Sequence, residues 1–445
     1  MDEAIIPNEF FEQLISHFGE EVANRVKAGF ELAPSVSVRI NPSKPTAQFD
    51  HQKAVPWSSR AFLLDERPAF YLDPLFHTGT YYVQDSSSMV LEYVLNQITF
   101  ESEQMLALDL CAAPGGKSTI IADRLKQNGF LIANEIDGKR NAILRENLLK
   151  WGSTNHAVTQ LPADKFSDLG AVFDLIVVDA PCSGEGMFRK DDFAITQWTP
   201  QLVEQCALTQ RGMLTNIAES LKEGGYLIYS TCTTNVQENE EQIQQLLSNG
   251  FELRLPKMDE FKNYIQPAEQ HGGILGYYLL PGISTGEGLF ISVLQKVDSA
   301  YVSRNKRPFD SAPFIRSAVL PYSNIEFESQ WSKGNEVFGY DNGQELLQRL
   351  PSHMPFKTVG LPILEAKGRD FIPSHGLAMH KNCTPDVDLS LNDALNYLRK
   401  ERISAPSNAD NKWMTVGFEQ IALGWVKQIP GRWNNYYPQH YRLRN

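Results

Sequence analysis

The chain predicts an α/β protein whose core is a doubly wound sheet. Between Met105 and about Val297, apolar runs of strand-forming residues alternate with helical segments, glycines and asparagines stop the helices, and each apolar run gives way abruptly to polar residues. Strands alternating with helices at this spacing imply βαβ units and a mostly parallel sheet covered on both faces. Open sheets of this kind bind ligands beyond the carboxyl ends of their strands.

The elements follow in chain order. FFEQLISHFGEEVANRVKAGF repeats apolar residues at helical spacing, and after the break at Pro34 the segment SVSVRIN alternates like a strand. A stretch punctuated by Pro45, Pro56, Pro68 and Pro74 leads into TYYVQDSSSMVLEYVL, whose tail reads as helix, so residues 1–100 form a small N-terminal α/β domain. The core occupies 101–298. MLALDL is a strand ending at Asp109, CAAPGGKS a Gly-rich turn, and TIIADRLKQ a helix capped by Asn128 and Gly129. FLIANEID is the next strand and KRNAILRENLLKWG the next helix, stopped by Gly152. HAVTQ, DLIVVDAP and GYLIYSTC supply further strands, with QLVEQCALTQRGMLTNIAESLK as the helix between the last two. GILGYYLLP and GLFISVLQKV read as an antiparallel hairpin completing the sheet. From Ser299 the basic, proline-punctuated SAYVSRNKRPFDSAP reads as a linker into a first C-terminal domain ending near 370. A terminal β-rich domain fills 371–445.

Composition sets the outer bounds. A chain of 445 residues with 42% hydrophobic content can bury the cores of two to four domains. MDEAIIPNEFFEQLI is acidic where a signal peptide is basic, and no apolar run approaches the roughly eighteen residues of a membrane span, so the expectation is a cytoplasmic protein with no membrane partner. The cysteines, Cys111, Cys182, Cys206, Cys232 and Cys383, are five in number, widely spaced and without a CxxC pair, which points to free thiols and no metal site. Cys206, midway along a helix, and Cys383 read as small buried hydrophobes.

Net charge is -12, which by itself disfavours a polyanionic partner. Its distribution is uneven: residues 301–445 carry 18 Lys+Arg against 14 Asp+Glu, leaving 23 against 39 before them. The last 25 residues hold Lys427, Arg432, Arg442 and Arg444 with no acid, interleaved with Trp425, Trp433, Tyr436, Tyr437 and Tyr441. Such a tail either grips phosphates and stacks on unpaired bases or is a small β-domain with an aromatic core.

One rim of the sheet should gather CAAPGGK, Glu135, Asp179 to Cys182 and Ser230 to Cys232. The turn Cys111, Ala112, Ala113, Pro114, Gly115, Gly116, Lys117 follows a strand and opens a helix, yet shows neither GxGxxG nor a P-loop. Glu135, about 20 residues on, ends the second strand where an acid would hold ribose hydroxyls, and Asp164 follows the third strand within reach of an adenine. A cofactor with ribose and adenine but no pyrophosphate suits this set, and S-adenosylmethionine (SAM) is the candidate. Two thiols at adjacent strand ends suit methylation of cytosine at carbon 5. That carbon is a poor nucleophile until a thiolate adds at carbon 6, the ring needs a hydrogen-bond or proton donor at N3, and a further group must help release the product. Cys232, Asp179 and Cys182 fill those roles.

At these residues the chain resembles the Nol/Nop/Sun family of RNA cytosine-5 methyltransferases, in particular its bacterial 16S rRNA branch of the RsmF type. The matching stretches are DLCAAPGGKST, NEIDGKRNAILRENLLKWG, VVDAPCSGEGMFRKD and YSTCTTNVQENE. SVRINPSK and YYVQDSSSM resemble the family's lead-in segments, and GRDFIPSHGLAMH and ALGWVKQIPGRWNNYYP its appended RNA-binding domains, the last PUA-like. The resemblance implies a Rossmann-like, SAM-dependent methyltransferase core acting on 16S ribosomal RNA or the small subunit. It also implies that Cys232 is the nucleophile, that Cys182 assists release, and that Cys111 to Lys117, Glu135, Asp164 and Asp179 line the cofactor site, with Lys117 and Asp179 reaching the target base. An RNA-binding assembly factor, or a methyltransferase acting on tRNA, is the alternative. LLPGISTGEGLFISVL departs from the family's PHxxxGEGHF, with Gly282 where many relatives have His.

Overall fold

The computed structural model describes residues 6–100, 103–270, 272–298, 322–351, 354–368, 370–403, 412–430 and 432–444. The linker SAYVSRNKRPFDSAP, residues 299–313, lies outside them.

The N-terminal unit is a helix, Asn8–Phe30, followed by β1 (Val36–Ile40), β2 (Lys53–Ala54), β3 (Ala61–Leu64) and β4 (Tyr81–Val83), which pair antiparallel in the order β2-β3-β1-β4. The long amphipathic pattern is interrupted at Gly19, whose φ of 80° breaks the helix in two. Its buried face, Phe10, Leu14, Ala23 and Val26, joins the apolar cluster of the core sheet. Phe10 meets Phe188 and Trp198 edge-on at 5.3 and 5.9 Å, and burying a phenylalanine so completely is worth about 1.5–3 kcal/mol. This helix is therefore part of the catalytic unit's own core.

The core contains β5 (Met105–Asp109), β6 (Gly129–Asn134), β7 (His156–Thr159), β8 (Phe173–Asp179), β9 (Leu221–Thr231), β10 (Phe251–Leu253), β11 (Gln266–Gln270), β12 (Gly273–Leu279) and β13 (Leu289–Lys296). The sheet order is β11-β12-β13-β9-β8-β5-β6-β7, with β10 on β13. β5 to β9 run parallel, whereas β10 to β13 are antiparallel additions. The sheet is thus mixed rather than mostly parallel. The predicted hairpin is β12 and β13, paired Tyr277 to Ile291. β5 and β6 are buried along their whole length, as befits strands covered on both faces.

The helix after the Gly-rich turn, Gly116–Leu125, does not end on Asn128 and Gly129 as its sequence suggests. Lys126 takes the left-handed turn at φ 42°, a 3-10 turn follows, and Gly129 is extended as the first residue of β6. Gly129 is required for another reason: a Cβ there would stand 2.6 Å from the Met105 carbonyl oxygen on β5. Gly152 does cap Gly138–Trp151 in the left-handed conformation.

Beyond the core lie β14 (Ser329–Lys333), β15 (Glu336–Tyr340), β16 (Thr358–Val359), β17 (Leu361–Lys367) and β18 (Asp370–Pro373), then β19 (Val387–Asp388), β20 (Trp413–Phe418), β21 (Ile421–Ile429) and β22 (Arg432–Asn435). They form two four-stranded sheets, except that β16 pairs antiparallel with β7 and extends the core sheet. The boundary expected at 370 falls inside the first of these sheets, because β18 pairs with β17. In the last domain Trp425, Trp433 and Tyr437 are buried core residues, and only Tyr436 and Tyr441 of the tail aromatics keep accessible faces. The aromatic-core reading of the tail holds for three of its five rings.

Candidate active site

Parallel neighbours β5, β6, β8 and β9 end together, so their last residues share one rim. Asp179 at the end of β8 lies opposite Ser230 of β9, whose Oγ donates to Asp179 Oδ1 at 2.8 Å. Lys117 Nζ approaches the other oxygen at 2.8 Å, and with side-chain exposures of 12% for Lys117 and 33% for Asp179 the pair opens to solvent on the carboxylate side. Burial is the largest single influence on Lys117 and opposes its charge, but the charge and hydrogen bond of Asp179, together with Asp109 and Cys232, hold the ammonium above its ordinary range. Both Asp179 oxygens accept, so the group with protons to give is Lys117.

The two cysteines that the sequence sets fifty residues apart meet here: Cys182 Sγ lies 3.1 Å from Cys232 Sγ. Each sits in a loop directly beyond its strand, and two buried carboxylates cross-brace those loops. Glu238, from the Cys232 loop, accepts from Ser183 N at 3.1 Å and Ser183 Oγ at 2.5 Å, the residue after Cys182. Gln210 Nε2 adds a third bond at 2.7 Å. Glu185, from the Cys182 loop, accepts in return from Thr234 N at 2.6 Å and Thr234 Oγ1 at 2.5 Å, with Trp198 Nε1 on its other oxygen at 3.1 Å. Gly186 N donates to the Cys232 carbonyl at 2.7 Å, and a Cβ on Gly186 would stand 2.9 Å from Cys232 Cβ. The loops cannot shift independently.

The hydrogen bond to Cys232, with burial second, raises the Cys182 thiol well above its ordinary range. Cys182 thus resists ionisation, and its sulfur shares the 3.1 Å contact with Cys232 Sγ, across which either thiol can donate. Cys111 is also pushed up, by burial and then by the Asp109 carboxylate, and packs against the core behind the turn.

The turn from Ala112 to Gly116 is small and closely backed. Ala112 N donates to the Asn134 carbonyl at 2.8 Å, and Gly115 has φ 116°. Gln84 covers Gly116 from the N-terminal domain, and Lys117 Nζ lies 3.5 Å from Ser88 Oγ. Glu135, just beyond β6, is buried; its Oε1 accepts from Asp137 N at 2.9 Å. Its Oε2 lies 3.2 Å from Arg140 Nη1 but at an angle that makes no hydrogen bond. Asp109 Oδ1 is likewise buried without a hydrogen-bond partner among the described residues, while its Oδ2 accepts from Ser118 at 2.7 Å. Burial pushes the Asp109 carboxyl up to about 7. Open acceptor capacity on an acid beyond the second strand, beside a Gly-rich turn, fits a ribose diol and hence a SAM-sized ligand. Asp164 begins the short helix Asp164–Ser167 after β7, 56% exposed and 3.6 Å from Lys165.

Cys206 is half-buried on Pro200–Ala218, and Cys383 packs beside the C-terminal sheet. Sequence reasoning missed Glu185 and Glu238. Each follows its cysteine by three to six residues, but a carboxylate in a loop gives no sign that it will be buried. The segment 281–288 finds its contacts as well. Glu287 accepts from Arg189 Nε at 2.6 Å and from Ser35 N at 3.1 Å, and Glu287 N donates to Asp85 Oδ1 at 3.0 Å. Gly282 has φ 76°, with an ideal Cβ 2.3 Å from the Arg25 carbonyl oxygen. Here the close approach of the N-terminal helix excludes the His of the family pattern.

Among the described residues no group of three or more His, Cys, Asp or Glu could hold a metal ion, and no helix is long and apolar enough to cross a membrane. Residues 96–295 match the family model "16S rRNA methyltransferase RsmB/F", residues 6–86 the N-terminal domain of 16S rRNA methyltransferase RsmF, and residues 384–443 the methyltransferase RsmF PUA domain. The chain is 30% identical over 434 residues to ribosomal RNA small subunit methyltransferase F of Aeromonas salmonicida, covering 92% of this chain and 88% of that one. It is 28% identical over 418 residues to the protein of the same name from Salmonella heidelberg, covering 86% and 84%. A methyltransferase homolog from Pyrococcus horikoshii superposes with a TM-score of 0.56 at 29% identity, over 65% of this chain and 95% of that one. NSun6 from the same organism, solved with SFG, shares the fold with a TM-score of 0.56 at 22% identity, over 67% of this chain and 100% of that one.

Proposed function

The chain belongs to the RsmF family of 16S rRNA methyltransferases, with that family's N-terminal and PUA domains, and from that premise we propose that it forms 5-methylcytosine in 16S rRNA through a covalent bond between Cys232 and carbon 6 of the base. The observation that carries the reading is the contact between Cys182 and Cys232 beside the Lys117–Asp179 pair. SAM, held by residues 111–117, Glu135, Asp164 and Asp179, supplies an electrophilic methyl group when bound.

The chain's own groups divide the remaining work. Cys232 Sγ, its proton passed to water at the solvent-open rim, adds to carbon 6 as the thiolate, and the protonated Cys182 beside it can donate to that sulfur. Lys117, charged and steered by Asp179, donates a hydrogen bond toward N3, where negative charge collects as the ring becomes an enamine-like nucleophile. Once carbon 5 carries its methyl group, water at the solvent-open rim takes the carbon-5 proton, the C–H electrons re-form the C5–C6 double bond and the C6–S bond breaks, with the Cys182 S–H donating to the departing Cys232 thiolate to assist that release. The base must be unpaired or flipped out for sulfur to reach its face.

Small ribosomal subunits and naked 16S rRNA from a strain lacking the protein, incubated with the full-length chain and labelled SAM, test this, with bisulfite sequencing to locate the methyl group. Cys232→Ala should transfer none, and Cys182→Ala should accumulate an RNA–protein adduct that survives denaturant. Full activity in Cys232→Ala, or a methyl group on an atom other than carbon 5, overturns the reading. Assembly rescued by Cys232→Ala would make RNA binding the primary role.

A further inference from the structure

We propose that a crevice beside the cofactor turn, between the N-terminal sheet and the helix Gly138–Trp151, holds one unstacked nucleobase of the substrate RNA, from a nucleotide flanking the target. The proposal rests on the reading of the chain as an RNA methyltransferase. The crevice has a volume of about 210 Å³ and is lined mainly by Phe76, Tyr81, Tyr82, Asn147, Lys150 and Trp151. Pockets for drug-sized ligands span roughly 300–1,000 Å³, so this one takes a flat ring and leaves sugar and phosphate outside. Aromatic walls are what a splayed-out base stacks on.

Its polar groups are unspent in a particular way. Asn147 Nδ2 donates to the Pro114 carbonyl at 2.8 Å and to Tyr82 OH at 3.2 Å. Both amide hydrogens are thereby used, whereas Asn147 Oδ1 and the Tyr82 O–H hydrogen have no partner among the described residues. The crevice therefore offers one acceptor beside one donor. Every Watson–Crick edge sets a donor next to an acceptor, so this pair holds an unpaired base of any identity and rejects a paired one, whose edge is already occupied.

The surroundings suit the rest of a nucleotide. The helix Gly138–Trp151 carries Lys139, Arg140, Arg145 and Lys150 against the single acid Glu146, and Lys139, Arg140 and Arg145 are exposed. These are cations for phosphates on a chain whose net charge is unfavourable. Lys150 Nζ lies 5.5 Å over the Phe76 ring and 5.7 Å over that of Tyr441, so the C-terminal domain reaches the edge of the crevice. Through Asn147 the crevice is tied to Pro114, three residues before Lys117. A base seated there is registered against the catalytic rim by the N-terminal domain, the core helix and the last domain together.

Steady-state methylation of small subunits and of naked 16S rRNA by the full-length protein tests the proposal. Tyr82→Phe removes the O–H donor together with the oxygen that accepts from Asn147 Nδ2. Loss of one hydrogen bond, about 0.5–1.5 kcal/mol, predicts a KM for RNA raised about two- to thirteenfold, with kcat within about twofold and the calorimetric Kd for SAM unchanged. Phe76→Ala should raise KM similarly through lost stacking. Unchanged KM in both variants overturns the proposal, as does a loss confined to SAM affinity or thermal stability, which marks a packing seam. If the wild-type chain methylates neither RNA, the proposed function fails separately. Filter binding of 16S rRNA then decides the crevice alone: weaker binding by both variants upholds it, and equal binding overturns it.

Discussion

Glu238→Gln is the substitution whose consequence the geometry specifies most closely. Burial pushes the Glu238 carboxyl up from 4.5 to about 7, against the donors from Ser183 and Gln210. The folded protein thus holds this proton more tightly than the unfolded chain does. Folding gains nothing from the group below about 4.5, where both states are protonated, and loses stability as pH rises from there to about 7. Above 7 the cost is constant at about 3 kcal/mol, of which about 2 kcal/mol accrues between pH 5.5 and 8. Glutamine is neutral throughout and fits the same bonds. Its oxygen in the place of Oε2 keeps Ser183 N and Gln210, and its amide in the place of Oε1 donates to Ser183 Oγ, whose own hydrogen goes to Thr233 Oγ1 at 3.2 Å. Urea unfolding followed by tryptophan fluorescence, with Trp198 bonded to the adjoining Glu185 as a local reporter, should show Glu238→Gln gaining about 2 kcal/mol on the wild type between pH 5.5 and 8. Asp109 titrates in the same range in both proteins and cancels. A stability difference that does not change between the two pH values refutes the reasoning.

Gly186→Ala would bring a Cβ to 2.9 Å from Cys232 Cβ and O; methyl transfer should fall about 10–100-fold with only a small drop in the urea midpoint, because displacing a reacting atom costs more than displacing a loop. Gly282→His should lower the unfolding free energy by about 2 kcal/mol or more, since its φ of 76° and the Arg25 carbonyl both exclude a side chain. Arg39→Met removes a fully buried guanidinium that donates to Asp123 Oδ2 at 3.1 Å and to Thr119 Oγ1; stability should fall by about 3–5 kcal/mol, and Asp123→Asn in the same chain should recover part of it by removing the stranded charge. Trp425→Ala, which deletes a core ring bonded to the Ser374 carbonyl at 3.0 Å, should cost the last domain about 3–5 kcal/mol and weaken binding of 16S rRNA in a filter assay.

The sequence was most legible where local chemistry and periodicity agree. Strand ends marked by Asp109, Asp179 and Cys232 announce the rim, because an apolar run can stop at polar residues only where the sheet meets solvent or ligand. The hairpin of β12 and β13 was readable for the same reason. What escaped reading depends on contacts between distant segments. Nothing local distinguishes Glu238 from its neighbour Glu241: the first accepts from Ser183 and Gln210 in the interior, and the second lies near exposed Arg211. Gly129 looked like a helix cap but is a strand residue pressed against Met105, and β16 joins the core sheet from some two hundred residues beyond its partner β7. Trp433 and Tyr437, interleaved with basic residues, had two readings, and only the packing of the last sheet chose between them.

The location of charge, more than its total, bears on how an acidic chain addresses RNA. Among the carboxylates of the cysteine loops and the segments packed on them, Glu185, Glu238, Glu240 and Glu287 are buried and Asp179 at the rim is paired with Lys117: Glu240 accepts from Tyr278 at 2.8 Å and contacts His17 at 3.0 Å, and Glu287 holds Arg189. Spent on internal donors, they project little field toward a phosphate at the rim. The cations of Gly138–Trp151 are disposed the opposite way, with Lys139, Arg140 and Arg145 in solvent beside the cofactor turn. Screening over about 8–10 Å at physiological salt leaves a bound strand sensitive to that local surface and largely indifferent to acids elsewhere. The same burial that braces the cysteine loops therefore also clears negative charge from the place where a polyanion must approach.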